Sequence, residues 1–253
     1  MGKRHEIIGI KQAISYDWMR KTTNFVLAGL DSKTIRRELH EYLGGMTRKG
    51  SKEIRSKYTR TFIVNSLMVI WVSPERELLL FRDRALSFLG HSADKDLAVN
   101  WAMISAVYPF WFNVARQTGR LLALQDQVSQ TQIVKRLKEQ YGDRETIVRY
   151  ASYALRSFVD WGVLKDSKTR GCYIKAAPIS ISDHNLAVLM VEVGLHATSG
   201  GKAALEIVLN SPGFFPFTMP GITGEAIAHG TDRISVDRYG LDDELLKLKM
   251  VLY

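Results

Sequence analysis

In the stretch DRETIVRYASYALRSFVDWGVLKDSKTRGCYIKA, residues 143–176, Arg149, Ser152, Tyr153 and Arg156 recur every three or four positions, which places them on one face of a helix. A guanidinium donates in a fixed fork to phosphate oxygens or to the major-groove edge of guanine, and Ser and Tyr hydroxyls both donate and accept. Arg144 precedes this face, and Lys168 and Arg170 follow it in a short turn. Lys135, Arg136 and Lys138 on the preceding segment are further candidates for phosphate contact. Such a surface suits double-stranded DNA held chiefly through its phosphates, with any base preference coming from Arg149, Ser152 and Tyr153.

Local signals define the elements that would carry these residues. Ser129 followed by Gln132 has the form of a capping box, so a helix is expected from there to Gly142, with Ile133, Val134 and Leu137 facing inward. Asp143 is expected to cap the next helix, over 144–161, whose stripe of Ile147, Val148, Ala151, Leu155, Phe158 and Val159 faces the core. Gly162 ends it, VLK and CYIK pair as strands, and DSKTRG makes the turn. Helix, tight turn, helix and basic hairpin is the order of a winged helix-turn-helix, here over 126–178. The rival reading is a scaffold whose winged helix docks onto a larger protein, such as a methyltransferase, an ATPase or an RNA polymerase subunit.

The rest of the chain reads as a helical domain over 1–125 and a small α+β extension over 179–253. The fold class expected is mainly α, α+β overall: a helical bundle with a central winged helix-turn-helix. Helices are expected over 16–30, 31–44, 58–72, 74–89 and 94–107, and Pro109 restarts the chain. Between the second and third lies TRKGSKEIRSKYTR, the densest basic run, with Arg48, Lys49, Lys52, Arg55, Lys57 and Arg60 against Glu53 alone. It is either a phosphate-contacting loop or a solvated one. In the extension, helices are expected over 182–197 and 201–209, a strand over 233–240 and a last helix over 241–250. The turn SPGFFPF, with Phe214, Phe215 and Phe217, either forms an exposed docking patch or closes the core.

Composition narrows the classes. The 253 residues hold 35 Lys and Arg against 26 Asp and Glu, a formal charge of +9 that favours polyanionic partners. Cys172 is the only cysteine, which excludes an intramolecular disulfide framework and fits a reducing, cytoplasmic setting. The most apolar run, TFIVNSLMVIWV, is 12 residues long, whereas a membrane span needs roughly 20, so no membrane association is expected. His5, His40, His91, His184, His196 and His229 are scattered, with neither HExxH nor zinc spacing, so no metal is expected. No glycine-rich phosphate loop or G-x-S-x-G occurs; ATSGGKAAL lacks a Ser or Thr after Lys202. Asp237, Asp242, Asp243 and Glu244 could hold magnesium in a nuclease, but the last three more simply open a helix. No cofactor, no catalytic residue and no enzymatic activity is expected.

Three blocks, MRKTTNFVLAGLDSKTIRREL, KYTRTFIVNSLMVIWVSPERELLLFRDRALSFL and RETIVRYASYALRSFVDWGVLKDSKTRGCYIKAAPISIS, resemble the BrxA-type small DNA-binding proteins of BREX phage-defence systems in order, spacing and hydrophobic pattern. They span about half the chain, and the match departs after about His184, where the tail is longer. The resemblance implies a non-enzymatic, helical, DNA-binding accessory protein of a bacterial defence system, working beside other defence proteins such as a methyltransferase and an ATPase.

Overall fold

The computed structural model describes residues 3–47, 53–90, 93–239 and 243–249. Helices α1 (Tyr16–Leu27) and α2 (Ser32–Gly44) form where two helices are expected and make a helical hairpin, with the Asp31 carboxylate accepting from the Lys33 and Thr34 amides at the start of α2. Helix α3 (Lys57–Leu67) starts at Ser56, whose hydroxyl accepts from the Thr59 amide, and continues into a π-helical turn over Met68–Val72. The chain does not turn helical at Pro74. Glu75 is extended, a 3₁₀ turn over Arg76–Leu78 follows, and only then does α4 (Leu79–Leu86) form. Helices α5 (Ala93–Val107) and α6 (Pro109–Leu122) complete this part, and Pro109 occupies the first turn of α6, where its missing N–H costs nothing.

The segment of interest runs β1 (Gln127–Ser129), α7 (Gln130–Tyr141), α8 (Glu145–Asp160), β2 (Leu164–Asp166) and β3 (Cys172–Lys175). The three strands form an antiparallel sheet in the order β1-β3-β2, so the expected hairpin has a third strand, β1, on the far side of β3. The capping box is formed as expected: the Ser129 hydroxyl accepts from the Gln132 amide, and Gln132 Oε1 accepts from the Ser129 amide at 2.9 Å. Ser129→Ala removes one side of this exchange. It is expected to lower stability by about 1 kcal/mol, read as a Tm drop of roughly 2–4 °C. Gly142 has φ +83°, a conformation that costs little only without a Cβ, and it sets the tight turn between α7 and α8.

After the short strand β4 (Ile179–Ser180) comes α9 (His184–His196), capped by Asp183 and buried along its whole length from Leu186 to His196. It packs against α5. One hydrophobic cluster runs from Ile10 to Leu246, so the three segments distinguished in the sequence share a core. The remaining elements are β5 (Lys202–Ala204), α10 (Leu205–Leu209), β6 (Phe217–Thr218), α11 (Gly224–Gly230), β7 (Ile234–Tyr239) and β8 (Asp243–Leu248). Two expectations are corrected here. The helix over 201–209 is instead a strand followed by a short helix. The last expected helix is β8, the central strand of the sheet β5-β8-β7. Pairing on both edges and complete burial of Leu246 outweigh the helix propensity of DELLKLK. Leu241 and Asp242 lie outside the described residues.

Eleven α-helices and three small sheets among the described residues make the fold mainly α, α+β overall. No described helix is long and apolar enough to cross a membrane.

Candidate nucleic-acid interface

The buried stripe of α8 is Ile147, Ala151, Ala154, Leu155, Ser157 and Phe158. Val148, expected in that stripe, is 37% exposed and belongs to the outer face. Phe158 packs against Trp101 of α5 and Trp111 of α6 at 5.0 and 4.7 Å between ring centroids. Trp161, just beyond the helix, meets the same two rings. Phe215 and Phe217 of the SPGFFPF turn close on Trp101, and Phe214 on Phe112, so that turn is core rather than an exposed patch.

Polar contacts fix the C-terminal end of α8. The Ser157 hydroxyl accepts from the Ile14 amide at 2.8 Å, the Trp161 indole donates to the Ile14 carbonyl at 2.9 Å, and the Asp160 carboxylate accepts from the Tyr16 amide at 3.0 Å. A helix held by an aromatic cluster beneath and hydrogen bonds at its end presents its outer face rigidly, which a recognition surface requires.

On that face Arg149 is exposed and makes no ion pair among the described residues. Ser152 and Tyr153 are half-buried, and the Tyr153 ring stacks on Tyr150 at 6.2 Å. Arg156 is committed differently: its Nη1 pairs with Asp166 of β2 at 2.7 Å, tying helix to sheet. Burial pushes the phenol of neighbouring Tyr173 up, while Arg156 acts in the opposite sense. Arg144 stands at the N-cap position of α8 and is exposed, but its side chain caps nothing. Asp143 is not the cap; its carboxylate takes Lys138 Nζ at 2.6 Å.

Lys168 and Arg170 are exposed in the 167–171 turn and make no ion pair among the described residues. The turn is anchored to β1 and α7: the Ser167 hydroxyl donates to Gln127 Oε1 at 2.8 Å, and the Gly171 carbonyl accepts from the Gln130 amide at 2.8 Å. Lys135 and Arg136 are exposed on α7, opposite Ile133, Val134 and Leu137. Two cations escaped the sequence reading: Lys165 on β2 and Lys175 on β3 are both exposed. For Lys165 the signal is present in LKD, where alternation turns Leu164 inward and Lys165 outward; Lys175 shares the face of Tyr173 and is exposed because it ends β3.

Residues 126–178 carry ten Lys and Arg against six Asp and Glu. Two of the ten, Lys138 and Arg156, are neutralised by Asp143 and Asp166. The field of this region is therefore positive, and its strongest sources are the exposed, unpaired groups on α8 and the turn. By contrast, a groove of about 540 Å³ beside α10 and β8 is lined by Glu206, Asp243 and Glu244, the wrong sign for a polyanion. Among the described residues no group of three or more His, Cys, Asp or Glu could hold a metal ion.

Comparison of the chain with protein-family models, curated proteins and solved structures gives no match.

Proposed function

We propose that α6, β1, α7, α8, β2 and β3 constitute a winged helix-turn-helix that binds double-stranded DNA, with α8 in the major groove and the 167–171 turn along the backbone. The order of these elements and the strand order β1-β3-β2 support that reading. The observation that carries it is the set of exposed cations Arg149, Lys168 and Arg170, unpaired among the described residues, on α8, which Arg156–Asp166 ties to β2, and on the turn, which Ser167–Gln127 ties to β1. Phosphate contacts supply most of the affinity, and base preference comes from Arg149, Ser152 and Tyr153. The resemblance to BrxA-type proteins supports the same assignment: a non-enzymatic, cytoplasmic accessory protein of a bacterial phage-defence system.

Salt titration of binding to random-sequence duplex tests this. Each phosphate neutralised contributes about −0.9 to the slope of log K against log salt, so Arg149→Ala with Arg170→Ala should flatten the slope by about 2. A double variant that keeps the parent slope and affinity overturns the assignment.

A further inference from the structure

We propose that the groove beside α10 and β8 docks a second copy of this chain, and that what it takes is the segment Ile54–Tyr58 of that copy. Charge is segregated along the sequence: residues 1–60 hold fourteen Lys and Arg against six Asp and Glu, while residues 179–253 hold five against nine. Of those five cations, Arg233 is spent on the buried Glu192, Arg238 on Glu244 and Lys247 on Asp237. The C-terminal part is thus acidic on a chain whose net charge is +9, and a surface of opposite sign is present on every other copy.

The groove lies between α10, residues 219–221 and the start of β8, and encloses about 540 Å³, room for several side chains. Leu209, Met219 and Pro220 give it half-buried apolar walls, and Ile207 stands in it 69% exposed. An apolar group set against Ile207 would remove from water aliphatic surface that folding leaves there. Glu206 and Asp243 are exposed on the groove and make no ion pair among the described residues. Glu244 is spent: it accepts from the Gly224 amide at 2.7 Å and meets Arg238 at 3.3 Å. Apolar walls with two unpaired carboxylates select a cation set beside exposed apolar side chains.

The segment leading into α3 has that composition. Ile54 is 59% and Tyr58 73% exposed, with exposed Lys57 between them. Lys57 makes no ion pair among the described residues. Arg36 and Arg60 stand near it: all three act on the His40 ring, which burial first and then these cations hold below its ordinary 6.5. Arg55 is committed elsewhere, since its Nη1 donates to the Thr47 carbonyl at 3.1 Å and its guanidinium lies over the Trp18 ring at 4.8 Å. Those contacts, the backbone bridge between Thr47 and Ile54 and the Ser56 cap of α3 present Ile54 and Tyr58 on a fixed backbone, so little entropy is lost on docking. They also tie the segment to α1, α3 and Thr47, none of which lines the groove, so a chain does not fill its own groove. Each copy offers one groove and one segment, and the contact is therefore heterologous, linking copies head to tail.

So short a segment buries less than the roughly 1,200 Å² at which standard interfaces begin, so the association is weak. Sedimentation velocity of nucleic-acid-free protein from about 5 to about 500 μM reads it. The parent should form species larger than the monomer at the upper end, and raising salt from about 0.05 to about 0.5 M should weaken association at least tenfold. Glu206→Lys/Ile207→Ser in the groove and Lys57→Glu/Tyr58→Ser in the segment should each leave a monomer. An equimolar mixture of the two variants has one intact groove and one intact segment to share, and should recover a one-to-one dimer and nothing larger. If either variant melts early, Ile207→Gln or Tyr58→Gln alone replaces it, with association weakened about fivefold and no change overturning the proposal. A parent that stays monomeric throughout at low salt, or a mixture that stays monomeric while the parent associates, also overturns it. A monomeric parent that binds an unrelated lysine-rich peptide, with that binding lost in the groove variant, assigns the groove to another protein and overturns the choice of a second copy.

Discussion

Gly119→Ala is expected to lower Tm by roughly 6–12 °C, the equivalent of about 3 kcal/mol in a chain of this size. In an exposed helix the same change would stabilise by about 1 kcal/mol, so the sign itself is diagnostic. Gly119 lies in the last turns of α6 against the 3₁₀ turn Pro212–Phe214. A methyl group there would sit 2.0 Å from the Pro212 carbonyl oxygen and 2.9 Å from Phe215 Cβ. The nearest obstacle is backbone, so no rotamer change relieves it. Moving the turn would displace Phe214 from Phe112 and Phe215 from Trp101 and Phe158, the same aromatic group that seats α8. The variant should therefore also weaken duplex binding at temperatures near its melt. Thermal unfolding followed by circular dichroism decides it: an unchanged or raised Tm would show that the turn yields and that α6 does not depend on this close approach.

The elements legible in the sequence are those with local signals. Asp31 and Asp183 cap their helices, Ser129 and Gln132 form the capping box, and Pro109 opens α6, because each of these satisfies backbone groups within a few residues of itself. Elements that depend on distant partners were misread. DELLKLK has no feature that excludes a helix, and becomes a strand because β5 and β7 offer both of its edges hydrogen bonds. QVS is too short to signal a strand, and exists as β1 only because β3 lies beside it.

The candidate interface divides along the same line. Arg149, Lys168 and Arg170 were found because helical spacing and turn chemistry fix where they point. What spacing could not reveal is which cations are already spent: Arg156 on Asp166, ten residues away, and Lys138 on Asp143. The basic run before α3 drew attention by density alone. Arg48, Lys49 and Lys52 lie outside the described residues, and Arg60 is partly buried against Gly44 at the end of α2, where a cation suits the helix dipole.

Glu192→Ala should cost about 3–5 kcal/mol, since it removes the anion from a buried charged group and leaves its cations uncompensated. Glu192 is fully buried in α9, and its Oε1 accepts from Arg233 Nη2 at 2.6 Å and lies 3.3 Å from His196 Nε2. Arg4, Arg84 and His5 also face this group, and Arg4 is held in turn by Glu75 and Glu77. The Glu192–Arg233 pair joins α9 to the segment before β7, so the loss is felt where the last sheet meets the core. Burial opposes ionisation of Glu192, but the bonds and charges of His196 and Arg233 outweigh it and hold the carboxyl below its ordinary 4.5. Burial also lowers His196 from 6.5, more than Glu192 raises it. Both groups therefore bind protons less readily folded than unfolded. Their contribution to stability is complete above 6.5 and declines as pH falls, first through the His196 titration and then, below 4.5, through that of Glu192. His5 and His40 are lowered as well, so the decline below pH 6.5 is shared. His196→Gln, which keeps a donor toward Glu192, should make Tm less sensitive to pH between about 6.5 and 5 than in the parent. Equal slopes in that window would exclude His196 as a source of the decline. A Glu192→Ala protein as stable as the parent would mean that Arg233 and Arg84 reach solvent once the carboxylate is gone.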